Sequence, residues 1–352
     1  MNRRLTIVIR ILAITAIAAG LWWFVRAMDF GALGRALRSA KLWPLVVAAA
    51  LNFVCLWGKA VCWRLMLAPR HRVSVIRLFR YTIATFAASA IAPARAGEVL
   101  RVWVLKRRDG VPAADTAAVA VAEKLLDGIS MLILVAPVPW LLPVPSWVAG
   151  SIALCAAIAI ALFIGLYIAV GRVGRVDSAT SRTLVRRFLA GMHVLRSPKR
   201  LLFALGVLIL VWAADLGEVM AVLYAVDIHL PVAAGLLILF TLNLTIMVPS
   251  TPAQVGALEV GALAALELLH VGHEAALAFA LLYHALQVIP LIAAGLTFEL
   301  RLVLGREGDP TAHAVTNGEA AKPEVLAPCK PEPEPPAAAP EPPAASATHT
   351  RP

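Results

Sequence analysis

An apolar run from Ala113 to Pro137 carries Glu123, Lys124 and Asp127 in the segment Val-Ala-Glu-Lys-Leu-Leu-Asp-Gly. On a helix, spacings of three and four residues place Asp127 on the same face as Lys124 and Glu123. Counting ~1.5 Å per residue from Pro112 puts Glu123 about 16 Å along that helix, near the middle of a hydrocarbon layer. Ionisable groups at such depth are costly, so they mark sites that hold a charged group or exchange a proton. The three formal charges leave one net negative charge, which calls for a cation from another element. Arg95 and Arg101 are the candidates.

Two further stretches combine helix breakers with a carboxylate. The first runs from Tyr81 to Pro93, continues through Ala94, Arg95, Ala96, Gly97 and Glu98, and reaches Arg101. The second runs from Pro231 through Pro249 and Ser250 to Thr251, Pro252, Ala253, Gln254, Val255, Gly256, Ala257, Leu258 and Glu259. Lipid satisfies neither freed backbone groups nor charge, so a chain that breaks this way twice lines a polar cavity. Asp215 and Glu218 lie one turn apart in a later apolar run and would relay protons, hold a substrate amine, or be solvated near its outer end. His284 is a lone polar residue in Leu-Leu-Tyr-His-Ala-Leu, read as a structural hydrogen-bonding group or a proton-transfer group. Asn243 is expected to satisfy backbone groups around the second break. Lys59 and Arg64 are expected to snorkel to the membrane surface.

The elements that must position these groups are membrane helices. Of 352 residues, 61% are hydrophobic and only 15% charged, against roughly a quarter charged in a soluble domain. The net charge of +11 sits in loops between apolar spans, where orientation in the membrane accounts for it, so no nucleic-acid partner is expected. Cys55, Cys62, Cys155 and Cys329 show neither metal-ligand spacing nor a disulfide framework, and no metal or cofactor is expected. The fold class is an all-α polytopic membrane protein of about six full spans plus two oppositely oriented re-entrant helical hairpins, resembling an inverted repeat. The full spans are Leu5 to Phe24, Leu42 to Trp63, Ala113 to Pro137, Val148 to Val170, Leu201 to Ala225 and Ala275 to Leu300.

Basic residues set the orientation. Arg64, Arg70, Arg72, Arg77 and Arg80 precede the first break, and Arg95, Arg101, Lys106, Arg107 and Arg108 follow it. A hairpin of Val75 to Ala92 and Ala96 to Arg108 keeps both clusters in the cytoplasm, as the positive-inside bias favours. The second hairpin, Val232 to Val248 and Val255 to His270, carries Glu259 and Glu267 but no Lys or Arg, and enters from the opposite side. Arg26, Arg35, Arg38 and Lys41 form an outward exception. Residues 1–304 are read as the transmembrane domain and 305–352 as a disordered Pro/Ala-rich tail. Both termini are placed in the cytoplasm, at a bacterial inner membrane.

The elements Gly97-Glu98-x-x-Arg101, Glu123-x-x-x-Asp127 and Pro252-x-x-x-Gly256-x-x-Glu259 occur in the order and spacing of a known family. The chain resembles the flippase-like integral membrane family named after the transmembrane region of lysylphosphatidylglycerol synthase, which has hopanoid- and glycosyltransferase-associated members. The resemblance implies that Arg95, Gly97, Glu98, Arg101, Glu123, Asp127, Pro252, Gly256 and Glu259 are the motif positions. Substrate contacts are expected at Arg95, Glu98, Arg101, Glu123, Lys124, Asp127, Gln254, Glu259 and His284, with Pro93, Gly97, Pro249, Pro252 and Gly256 as hairpin breakers. Lys124 and His284 stand where the family more often has Arg, which weakens a bidentate phosphate contact at those positions. The soluble aminoacyl-transferase domain of some relatives is not in this sequence, so no catalytic residue is assigned and lysyl transfer is not expected.

The function expected from these readings is transport of a glyco-, amino- or hopanoid-type lipid through a polar cavity between the hairpins. The alternatives are a membrane enzyme, or an accessory scaffold for lipid-synthesis or glycosyltransferase partner proteins. The orientation makes one sharp demand. With native cysteines removed, Arg70→Cys and Lys106→Cys should both react with an impermeant thiol reagent from the same face of the membrane. Labelling from different faces would remove the first hairpin.

Overall fold

The computed structural model describes residues 30–68, 70–91, 96–173, 188–189, 191–247 and 252–304. These residues form α-helices and short 3-10 turns, with no strand among them. The expected span Leu5 to Phe24, Pro93, Arg95, Pro249 and the tail all lie outside the described residues.

Helix α1 is Phe30–Ser39, α2 Leu42–Leu67, α3 Val75–Ile91, α4 Ala96–Arg108, α5 Ala113–Val135, α6 Val138–Leu141 and α7 Ser146–Val173. After a 3-10 turn at His193–Arg196 come α8 Pro198–Ala225, α9 Val232–Ile246, a 3-10 turn at Pro252–Gln254, α10 Ala257–Leu268 and α11 His273–Leu304. Among the described residues, four helices are long and apolar enough to cross a membrane: Leu42–Leu67, Ser146–Arg172, Pro198–Ala225 and His273–Gly295. Helix α5 has 23 residues and therefore the length, but Asp115, Glu123, Lys124 and Asp127 lower its hydropathy.

The frame is the antiparallel pair α2–α8. Lys41 N–H donates to the Ala225 carbonyl at one end, the Cys55 thiol to the Val211 carbonyl in the middle, and Arg200 to the Ala68 carbonyl at the other. At the first end Lys41 also pairs with Asp227 at 2.8 Å. That hydrogen bond holds the Asp227 carboxyl below the usual carboxylate range. Gly58 faces Val211 so closely that a Cβ would lie 2.4 Å from its methyl, which brings the two backbones together.

Two shorter helix pairs leave this frame from opposite ends. The α3–α4 pair follows the end of α2, whereas the α9–α10 pair follows the end of α8. Antiparallel packing of α3 on α4 shows in Arg77 bonding Asp109 at the base and Gly97 N–H donating to Ser89 Oγ near the tip. The arms contain 17, 13, 15 and 12 residues, so each is about 18–26 Å long, short of a ~30 Å hydrocarbon core. In both pairs a glycine on the returning helix permits the contact. A Cβ on Gly97 would meet the Thr85 carbonyl and Ser89 Oγ, and one on Gly261 would meet Thr245 Oγ1 at 2.3 Å. The turn Pro252–Gln254 packs against α3, so the second break reaches the first pair, and α11 lies against both α3 and α10.

Gly97→Val should therefore separate α3 from α4 at a cost above the ~1–3 kcal/mol of ordinary overpacking. Gly128→Ala, where a Cβ meets nothing within 4 Å, should be tolerated. Detergent melting temperatures of the two variants check this.

Candidate functional site

The α2–α8 interface is not apolar throughout. Asn52, Cys55, Lys59 and Trp63 recur on α2 at spacings of three and four residues, forming one stripe. The stripe faces Trp212, Asp215 and Glu218 of α8 and the acidic face of α5. Apolar clusters flank it, one around Trp63, Met66, Leu105 and Leu208, the other around Leu45, Val219, Ile238 and Phe279.

Glu123 and Asp127, one turn apart on α5, take their cations from two different elements. Glu123 is 4% exposed. Its Oε2 accepts the Trp63 indole N–H at 2.8 Å and lies 3.7 Å from Arg101 Nη1. Arg101 is also buried; its Nη2 and Nε donate to Thr85 Oγ1 at 3.1 and 3.3 Å. The Thr85 hydroxyl donates in turn to the Thr82 carbonyl at 3.0 Å, leaving its lone pairs for Arg101. The guanidinium lies 4.5 Å from the Trp63 ring centroid and 5.7 Å from that of Phe86, a cation–π setting on both. Lys59 Nζ donates to both Asp127 oxygens at 3.0 Å.

Arg101 thus supplies the cation required at Glu123, while Arg95 lies outside the described residues. Lys59 does not snorkel to the surface. It sits eight residues, about 12 Å, from the α2 end and is held inward by Asp127. The signal that would have found it is the α2 stripe itself, which also holds Trp63, another partner missed in the sequence. Lys124 makes its ion contact with another helix. It reaches to 3.9 Å from Glu98, and these two side chains are 57% and 52% exposed. They stand beside the buried Arg101–Glu123 pair, about 16 Å along α5.

A third polar group joins α2, α8 and α11. Pro290 lacks an N–H, so the Leu286 carbonyl loses its helical donor, and Asn52 Nδ2 supplies one at 3.4 Å. Asn52 also donates to Gln287 Oε1 at 3.2 Å. Gln287 Nε2 in turn donates to Glu218 Oε2 and reaches the Tyr283 hydroxyl, both at 3.2 Å. The Tyr283 hydroxyl donates to Asp215 at 3.4 Å. Glu218 is fully buried and not solvated near a helix end.

The second break is closed by His284 and Glu259. His284 Nε2 lies 2.9 Å from the Ala253 carbonyl, an acceptor only, so Nε2 carries a proton. Its Nδ1 lies 2.5 Å from Glu259 Oε1, and the other Glu259 oxygen accepts the Gly256 N–H at 2.7 Å. Ala253 and Gln254 adopt φ of 53° and 62°, and Gly256 has φ 87°, a conformation that favours glycine. His284, expected among the substrate contacts, is fully buried and spends both nitrogens on this turn. Gln254 is exposed at the break. Asn243 does not serve the break; its amide donates to the Leu239 carbonyl of its own helix at 2.9 Å.

The sequence pattern described as Lysylphosphatidylglycerol synthase TM region matches residues 7–295. The chain belongs to that family. The matched segment includes both breaks, the paired charges of α5 and the network up to Gln287 and Pro290. No curated protein and no solved structure matches the chain. It is a helical membrane protein of the lysylphosphatidylglycerol synthase TM type.

Chemically, the buried pairs neutralise each other. Removing one partner leaves an uncompensated charge, whereas removing both does not. Lys59→Met should lower stability by ~3–5 kcal/mol, and Lys59→Met with Asp127→Leu should recover most of that. Unfolding in mixed micelles measures both.

Proposed function

We propose that the protein is a lipid translocase of the bacterial inner membrane, a transporter rather than an enzyme. The observation that carries this reading is the Lys124–Glu98 pair. Two ionisable side chains, Lys124 midway along the membrane-length α5 and Glu98 in the first turn of α4, are more than half exposed. Charges placed there do not face hydrocarbon, so a wet recess adjoins α4 and α5. A lipid phosphate would pair with Lys124, and an amine or hydroxyl of the same headgroup would bond Glu98, while the acyl or isoprenoid chains stay in the bilayer.

The arms of the two helix pairs are too short to cross, and we read them as re-entrant hairpins entering from opposite faces. Broken helices that meet from opposite faces are a recurring transporter plan, with the substrate site where they meet. Both termini are cytoplasmic in this reading. Membership in a family named for a phospholipid-modifying enzyme's transmembrane region supports a lipid rather than a water-soluble cargo.

Reconstitution into liposomes with labelled amino-, glyco- and hopanoid-type lipids tests the proposal. The wild type should speed redistribution of at least one of these between leaflets. Lys124→Gln or Glu98→Gln should slow it about tenfold to a hundredfold, the range for losing a charge-assisted hydrogen bond of ~1.5–3 kcal/mol, without loss of folded protein. Unchanged redistribution of every lipid with wild-type protein would overturn the reading.

A further inference from the structure

Glu218 is the most deeply placed acid of the α8 stripe, and its two oxygens have different surroundings. Its Oε2 accepts from Gln287, whereas Oε1 is buried with no hydrogen-bond partner. An ionised carboxylate with one buried oxygen left bare is far costlier than the neutral acid. Asp215, one turn away on the same face, adds a second carboxyl.

The titratable and charged groups on the surrounding helices do not compensate Glu218. On α2, the Lys59 ammonium is committed to Asp127 of α5 through both carboxylate oxygens, and Cys55 donates to the Val211 carbonyl. On α11, Tyr283 spends its proton on Asp215, while His284 serves the second break. Helix α9 carries no titratable side chain. Among the described residues, no third Asp, Glu, His or Cys joins the pair in a metal-holding group. A proton needs only one of these carboxyls and no third ligand.

We propose that Asp215 and Glu218 are a proton-binding site, with the proton resident on Glu218 and Asp215 as its exchange partner. Transfer is a simple exchange: the O–H bond on one carboxyl breaks as one forms on the other, and the negative charge moves the opposite way. Asp215 lies one turn from Glu218 on α8 and is within electrostatic reach of the Lys59–Asp127 pair. Movement of the proton therefore changes the field at the charged face of α5. That link to cargo rests on the translocase reading; the proton site itself does not.

Infrared spectroscopy of the full chain in liposomes tests the site, since a protonated carboxyl absorbs apart from carboxylate and amide groups. At neutral pH the wild type should show a protonated-carboxyl band that is lost in Glu218→Gln, kept in Asp215→Asn, and unmoved by sodium. If Glu218→Gln is not recovered folded, Glu218→Asp should shift the band instead. A spectrum without the band, a band indifferent to substitution at 218, or a band abolished by sodium at constant pH would overturn the proposal. These readouts need no lipid movement, so a failure of transport leaves them decisive.

Discussion

Charge neutralisation on one face of α5 organises the centre of this protein. Glu123 and Asp127 project from adjacent turns, and neither could stay ionised at that depth alone. Their cations arrive from different elements, Arg101 from α4 and Lys59 from α2. Satisfying both carboxylates at once fixes α2, α4 and α5 relative to one another. Hydrophobic contact between helices gives little such direction inside lipid, where the surrounding solvent is itself apolar. Trp63 adds to the arrangement by donating to Glu123 with its indole edge while its ring face receives Arg101.

The helix breaks obey the same constraint in neutral form. At the second break, Glu259 accepts the Gly256 N–H and His284 donates to the Ala253 carbonyl, so irregular backbone is given polar partners at both positions. Close glycine contacts then hold each short helix against its returning arm. Gly97 does this for α3 and α4, and Gly261 for α9 and α10. The two pairs thus share a plan although their sequences differ.

Much of this was legible from residue types. Breakers followed by a carboxylate located both helix pairs, and the Glu123/Asp127 spacing located the acidic face and its need for a cation from Arg95 or Arg101. What escaped was pairing across elements. Lys59 lies near enough to Arg64 and a basic loop to look like a surface anchor, and only the fold shows Asp127 in its path. His284 was legible as a hydrogen-bonding group, but a sequence does not display the carbonyl that a broken turn exposes, so its partner was not. Pro290 gave no warning that the carbonyl it frees would be taken by Asn52, 234 residues away.

Helix α11 carries His284 and Gln287 almost one turn apart. His284 grips the second break, and Gln287 grips Glu218. Because both grips are borne by a single shaft, rotating it about its axis strains the two together. The strained turn and the acid of α8 are therefore yoked, as two cams on one spindle are, and whatever reshapes one has a mechanical claim on the other.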